Sequence, residues 1–287
     1  MKKHQLFQVL VTLLGLGYGV LVIVVVCSAC CVLGSGVRCF RLLGDEGLTL
    51  GDSVKGYLLS SYASLFLPTA IGGDAVRVEF LSVRGGIGRG KAAGAVVAER
   101  VSGLISMMVF LGVALIVLSD FRWGFSAELV LLLFSLFLGI VWGLSKAHTF
   151  DRGPQWFREF SSVLHSFNNR GIVIELVLWS MLVQFLAILV PVSVGLLSPN
   201  GDVNVALQLA GITPVVWMII MVPISLGGNG LREVSYVAIA EILGMDKTIA
   251  LTAGISLTVF NFLPALVGAF LFNSWNKNSS LGISEVK

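Results

Sequence analysis

The sequence predicts an all-α integral membrane protein: a polytopic helical bundle in which residues 1–287 form one transmembrane domain, with two re-entrant helical hairpins in an inverted repeat. Three observations predict it. Hydrophobic residues make up 56% of the chain and charged ones only 12%, against about a quarter charged in ordinary globular chains, so too little polar surface exists to keep such a core dissolved. Several uncharged runs reach the ~20 apolar residues that a membrane-crossing helix needs. A ten-residue pattern of Pro, Gly-Gly and Arg also occurs twice, as PTAIGGDAVR at 68–77 and PISLGGNGLR at 223–232, each time breaking an apolar stretch.

The first uncharged run, 5–37, is too long for a signal-peptide core and reads as a retained spanning helix. Cys27, Cys30, Cys31 and Cys39 lie in or just after it. Their CxxCC spacing suggests a metal or redox site, but His4, His148 and His165 are scattered, and thiols inside lipid behave as small apolar side chains. No metal is expected.

The stretch 53–83 carries Pro68 and Gly72-Gly73 at its middle, and the run 203–231 carries Pro223 and Gly227-Gly228. Such breaks free backbone groups that lipid cannot satisfy, so they belong inside protein or against a wet cavity. Where the first motif has Asp74 the second has Asn229, and both types are good helix N-caps. Each stretch therefore reads as a hairpin: one arm ends near the proline, the glycines turn the chain, and a half-helix starts at Asp74 or Asn229. Crossings at roughly 92–118, 127–145 and 171–196 separate the motifs. An odd number inverts the second hairpin, as in the inverted repeats of secondary transporters. Repeat one then covers about 5–118, the linking helix about 127–145 and repeat two about 171–275.

The basic loops 84–91 and 146–170 are expected in the cytoplasm, whereas 197–204 holds no Lys or Arg, following the positive-inside bias. That order puts Arg38, Arg41 and the C-terminus inside. It puts Lys2 and Lys3 outside, against the same bias, which points to a missing first helix or an alternative start. Trp156, Phe157 and Phe160 among Arg152, Arg158 and His165 suggest an interfacial amphipathic helix.

The half-helix starts are the candidate binding site. A helix N-terminus presents unpaired N–H groups to phosphate or carboxylate, and Arg77 and Arg232 sit about one turn in from the caps, where a guanidinium can grip phosphate. Asp74, Arg77, Asn229 and Arg232 are the headgroup candidates. The competing reading has the two arginines closing the fold with Glu79 and Glu233. Glu99 and Arg100 lie roughly 12 Å into an otherwise apolar helix. Glu99 is read as a proton carrier or the counter-ion of Arg77, and Arg100 as a second phosphate ligand, with a purely structural role for both standing beside these. GGIGRGKA at 85–92 opens like a nucleotide-binding loop, but Ala92 replaces the required hydroxyl and no strand precedes it. No HExxH, GxSxG or Cys/His pairing occurs, so no catalytic residue is expected.

Over about residues 35–275, the segments LPTAIGGDAVRVEFLSVRGGIGRGKAAGAVVAERVSGLI (67–105) and VPISLGGNGLREVSYVAIAEILGM (222–245) resemble the flippase-like family typified by the membrane domain of bacterial lysylphosphatidylglycerol synthases, the multiple peptide resistance factors. The resemblance implies translocation of a phospholipid or polyprenyl-phosphate-type lipid between leaflets of a bacterial inner membrane. It places the polar membrane residues at Asp74, Arg77, Glu99, Arg100, Arg232 and Glu233. Two departures are expected: the soluble aminoacyl-transferase domain is absent, so this chain does not aminoacylate lipid, and the usual extra N-terminal helix is missing.

The expected partner is a membrane lipid with an anionic headgroup. The net charge of +3 is small and sits between helices, so nucleic acid is not expected, nor is a cofactor. The alternative is a non-transporting subunit that assists a cell-envelope glycosyltransferase, which would add that biosynthetic enzyme as a partner. An enzyme acting on lipid phosphate comes third. Self-association remains open.

Overall fold

A computed structural model describes residues 17–67, 70–117, 154–164, 169–220 and 230–282. Every regular element among them is helical: α1 (Tyr18–Leu43), a short 3-10 turn (Gly44–Glu46), α2 (Leu50–Ala63), α3 (Ala70–Gly85), α4 (Arg89–Val117), α5 (Gln155–Leu164), α6 (Arg170–Leu197), α7 (Val203–Ile220), α8 (Leu231–Ile242) and α9 (Lys247–Gly282). Among the described residues, five stretches are long and apolar enough to cross a membrane: Tyr18–Glu46, Arg89–Ala114, Arg170–Leu197, Val203–Ile220 and Lys247–Asn273. The expected linking helix at 127–145 lies outside the described residues, as do Pro68, Pro223, Gly227, Gly228 and Asn229.

Glycines set how closely the helices approach. Val183 faces Gly34 on α1, Val54 of α2 presses on Gly36, and the backbone of Ala206 on α7 meets Gly195 on α6. Small residues of this kind let helix backbones come together where lipid offers no hydrophobic drive for association. α1 and α6 run antiparallel, since Gly19 faces Leu197, Gly34 faces Val183, and Arg41 Nη2 donates to Glu175 Oε2 at 2.7 Å.

These contacts give the bundle two chemically different ends. At one, Arg41 meets Glu175, Lys91 meets Glu46, Arg84 approaches Asp52 and Arg89 holds Glu79. At the other, Gly17, Leu197, Ser198, Asp246 and Thr248 border a recess of about 350 Å³. α9 starts at this second end, and its Leu271 packs into the core cluster of Leu43 and Leu48 near the first.

α2 and α3 form an antiparallel pair entered from the charged end. Thr49 and Asp52 start α2 with a capping box: Thr49 Oγ1 accepts from Asp52 N at 3.1 Å, and Asp52 Oδ2 accepts from Thr49 N at 3.3 Å. Gly56 faces Phe80, Leu81 and Arg77, and Gly73 sits against Ser64 and the Ser60 carbonyl. With 14 and 16 residues, the helices are about 21 and 24 Å long, short of the ~30 Å hydrocarbon core. α7 and α8 are entered from the opposite end, where Asp202 Oδ1 accepts from Val205 N at 2.7 Å and Gly244 (φ 68°) breaks the chain between α8 and α9. α8 has 12 residues, about 18 Å, whereas the 18 residues of α7, about 27 Å, can cross alone.

The sequence-based cap positions need correcting. α3 starts at Ala70, so Gly72, Gly73 and Asp74 are helical and Asp74 is not its N-cap. After α2, residues 64–67 form a turn whose N–H groups donate back to the Ser60, Tyr62 and Ala63 carbonyls. The chain does not need Gly73 for bending; it needs the missing side chain, because Ser60 and Ser64 occupy that space. At α8 the N-cap position is Gly230 (φ 82°), a left-handed conformation that suits glycine, with Glu233 Oε2 accepting from its N–H at 2.8 Å.

Candidate functional site

The candidate site is a cavity of about 320 Å³ lined from α1, α2, α3, α4, α6 and α9. Two polar stripes build its wall. On α1, Ser28, Cys31, Ser35 and Arg38 follow one another at intervals of three and four; on α2 and its C-cap, Ser60, Ser61 and Ser64 lie three, four and seven residues after Tyr57. Such spacing keeps each set on one helical face. α3 adds Asp74 and Arg77, and α4 adds Glu99 and Arg100.

Glu99 is the centre of the charge arrangement. Arg77 Nη2 donates to Glu99 Oε1 at 2.7 Å, and Arg38 Nη2 lies 3.9 Å from Glu99 Oε2. Arg38 is steered by serines: Nη1 donates to Ser180 Oγ at 2.8 Å and Nη2 to Ser35 Oγ at 3.2 Å. Ser180 in turn bonds Ser102 at 2.9 Å, and Ser102 Oγ donates to the Glu99 carbonyl at 2.9 Å. The Arg77 guanidinium stands 5.8 Å from the centre of the Tyr57 ring, within cation–π range. Two positive charges thus share one buried carboxylate, and Arg38 Nε, Arg77 Nε and Glu99 Oε2 have no hydrogen-bond partner among the described residues.

A second pair lies toward the opening. Arg100 holds Asp74 through a two-pronged contact, Nε to Oδ2 and Nη2 to Oδ1, both 3.0 Å. The Arg100 side chain is 55% exposed, so this pair faces the way in while the Arg38–Glu99–Arg77 group lies behind it. Phe260 and Asn261 of α9 complete the wall. Pro264 leaves the Phe260 carbonyl without its usual helical donor, and Ser28 Oγ supplies one at 2.9 Å.

The predicted residues therefore divide. Asp74, Arg77, Glu99 and Arg100 come together in the cavity, and Glu99 is the counter-ion of Arg77. Glu79 does not pair with Arg77. Two residues apart on a helix they point in different directions, and Glu79 instead takes Arg89 Nε and Nη2 at 2.7 and 2.8 Å. Arg232 and Glu233 lie outside the cavity lining, where Thr258 joins them: Arg232 Nη1 donates to Thr258 Oγ1 at 2.9 Å, and Thr258 donates to Glu233 Oε1.

Sequence reading missed Arg38, which ends the uncharged run and was expected as a flanking charge. The signal that finds it is the Ser28, Cys31, Ser35, Arg38 spacing. The thiols of Cys27, Cys30, Cys31 and Cys39 are free; Cys31 Sγ lies 3.3 Å from the Val183 carbonyl and Cys39 is in the core.

No curated protein and no solved structure matches the chain. A family model described as the lysylphosphatidylglycerol synthase TM region matches residues 1–268, so the chain belongs to that family and is a multi-pass membrane protein of the lipid-modification or lipid-transport kind.

Proposed function

We propose that the protein is a flippase rather than an enzyme, moving a phospholipid or polyprenyl-phosphate-type lipid between leaflets, with the headgroup phosphate held by Arg38 and Arg77. The observation that carries this reading is the cavity in which two buried guanidiniums share Glu99 and keep unpartnered Nε donors. Ionisable groups at membrane depth are costly and mark substrate paths, and guanidinium suits phosphate oxygens.

In this reading α2–α3 and α7–α8 are the re-entrant elements of an inverted repeat. The shortness of α2, α3 and α8 and the entry of the two pairs from opposite ends support it. Arg232 then serves the opposite-facing state: Thr258, to which it donates, lies two residues before Phe260 of the cavity wall. The arginine-rich end and the C-terminus face the cytoplasm of a bacterial inner membrane.

Full-length protein reconstituted in liposomes with labelled phospholipid or labelled polyprenyl phosphate tests this. Wild type is expected to scramble or transport one of them, and Arg77→Ala and Arg232→Ala each to slow it about tenfold or more, the loss expected when one charged headgroup contact is removed. Translocation unchanged in both variants overturns the headgroup assignment. No translocation of any lipid by wild type overturns the flippase reading and favours a membrane subunit for a cell-envelope enzyme.

A further inference from the structure

Arg38 and Glu99 stand close enough to attract but not to bond. Arg38 Nη2 lies 3.9 Å from Glu99 Oε2, outside the range of about 2.7–3.2 Å in which an N–H donates to oxygen. Among the described residues, Arg38 Nε and Glu99 Oε2 also lack hydrogen-bond partners. A guanidinium and a carboxylate ordinarily close into a short, often two-pronged contact, as Arg100 and Asp74 do in the same cavity. Arg38 is held back from doing so.

Serines hold it, and the direction of their hydrogen bonds is fixed. Ser102 Oγ has one proton to give and donates it to the Glu99 carbonyl at 2.9 Å. The 2.9 Å contact between Ser102 and Ser180 is then donated by Ser180, whose oxygen is left to accept from Arg38 Nη1 at 2.8 Å. Ser35 Oγ accepts from Nη2 at 3.2 Å. Ser35, Ser102 and Ser180 are all fully buried, so packing pins each of them. Arg38 lines the cavity, whereas Ser180, on α6, stands behind the lining.

We infer that Ser180 is a positioning residue: through the relay Arg38–Ser180–Ser102 it holds the Arg38 guanidinium off Glu99 and keeps it ready for an anion entering the cavity. The fold forgoes a closed ion pair and gains a preformed anion contact, because an arginine already closed on Glu99 has to be pulled away before it can bind anything else. The inference rests on the flippase reading for what the anion belongs to, a transported lipid.

A serine that merely satisfies Arg38 and one that restrains it predict opposite signs. In the first case Ser180→Ala strands a buried donor and lowers stability. In the second the freed guanidinium closes on Glu99, so stability is kept or gained while anion binding weakens. Full-length Ser180→Ala, Arg38→Gln and the double variant are compared with wild type in two measurements. One is thermal unfolding in detergent micelles. The other is translocation in liposomes, with labelled phospholipid or labelled polyprenyl phosphate over a range of mole fractions. Ser193→Ala is the control, since its buried hydroxyl lies on the same helix but donates to the Val190 carbonyl.

Ser180→Ala is expected to unfold at the wild-type temperature or above it. Its half-saturating lipid fraction is expected to rise about tenfold, the loss of one well-placed charged hydrogen bond, with the maximal rate within about twofold of wild type. Added to Arg38→Gln it is expected to change nothing further, because it acts through Arg38. Ser193→Ala is expected to transport like wild type. A lowered unfolding temperature, or failure of Ser180→Ala to fold, overturns the inference. So does an unchanged half-saturating fraction, a full additional loss on top of Arg38→Gln, or an equal loss in Ser193→Ala. If wild type moves neither lipid, the flippase reading fails, and the sign of the unfolding shift alone decides whether Ser180 restrains Arg38.

Discussion

Arg77 and Glu99 form an ion pair of 2.7 Å with only 5% and 4% of their side-chain surfaces exposed. Glu99 also faces Arg38 at 3.9 Å, so one carboxylate serves two guanidiniums. The partners are therefore unequal: without Arg77, Glu99 still has Arg38, but without Glu99 neither arginine has a countercharge in the group.

The first prediction follows from that inequality. Breaking a buried pair by removing one member costs about 3–5 kcal/mol because it strands a charge. Glu99→Gln is expected toward the upper part of that range and Arg77→Gln below it, with the double substitution recovering part of the loss. Unfolding in detergent micelles measures all three, and an Arg77→Gln variant less stable than Glu99→Gln would count against the shared-carboxylate arrangement.

The second concerns the contact between α2 and α3. A methyl group on Gly73 would run into Ser64 Oγ and the Ser60 carbonyl, and the latter is backbone that cannot swing aside. Gly73→Ala is expected to destabilise by about 1–3 kcal/mol, the usual cost of overpacking, although alanine is the better helix former. Stability equal to or above wild type would show that the two helices separate easily.

Gly73 also shows how far the sequence could be read. The Gly-Gly pair was visible as a special feature, but a glycine that turns the chain and one that admits a neighbouring helix look alike in one dimension. Asp74 was legible as a polar group at depth, and its good N-cap propensity suggested a role at a helix start. Its actual partner, Arg100, lies 26 positions away, a contact no local rule contains. Glu99 and Arg77 were found because charge is conspicuous in apolar helices. Arg38 was not, because a charge at the end of an apolar run normally marks the membrane surface. Only the serines one and three turns before it on the same face reveal that the polar stripe continues inward.

The third prediction lies at the charged end. The hydroxyl of Thr49, which donates to Asp52 Oδ2 at 2.6 Å, holds the Asp52 carboxyl below its ordinary range, with Arg84 at 3.8 Å a lesser aid. A carboxylate favoured by folding adds stability above its unfolded pKa of about 4, and that stability disappears as pH falls through the lower folded value. Asp52→Asn is expected to cost about 0.5–1 kcal/mol near pH 7, in the range of capping interactions, with the gap from wild type closing toward pH 3. A gap independent of pH would mean the carboxylate charge is not what the cap uses.

The last prediction tests the link between α1 and α9. Pro264 has no N–H, so the carbonyl of Phe260 loses its helical donor and takes the Ser28 hydroxyl at 2.9 Å instead. Ser28→Ala strands that carbonyl and is expected to cost about 1–3 kcal/mol, the penalty of a buried unsatisfied acceptor. Pro264→Ala restores the backbone donor from within α9. In that background the carbonyl is already satisfied, and Ser28→Ala is expected to cost about 1 kcal/mol less. A double-mutant cycle on unfolding in micelles isolates this coupling. Additive effects of the two substitutions would show that Ser28 acts through packing alone; a positive coupling identifies the serine as the external donor required by the proline in the cavity wall.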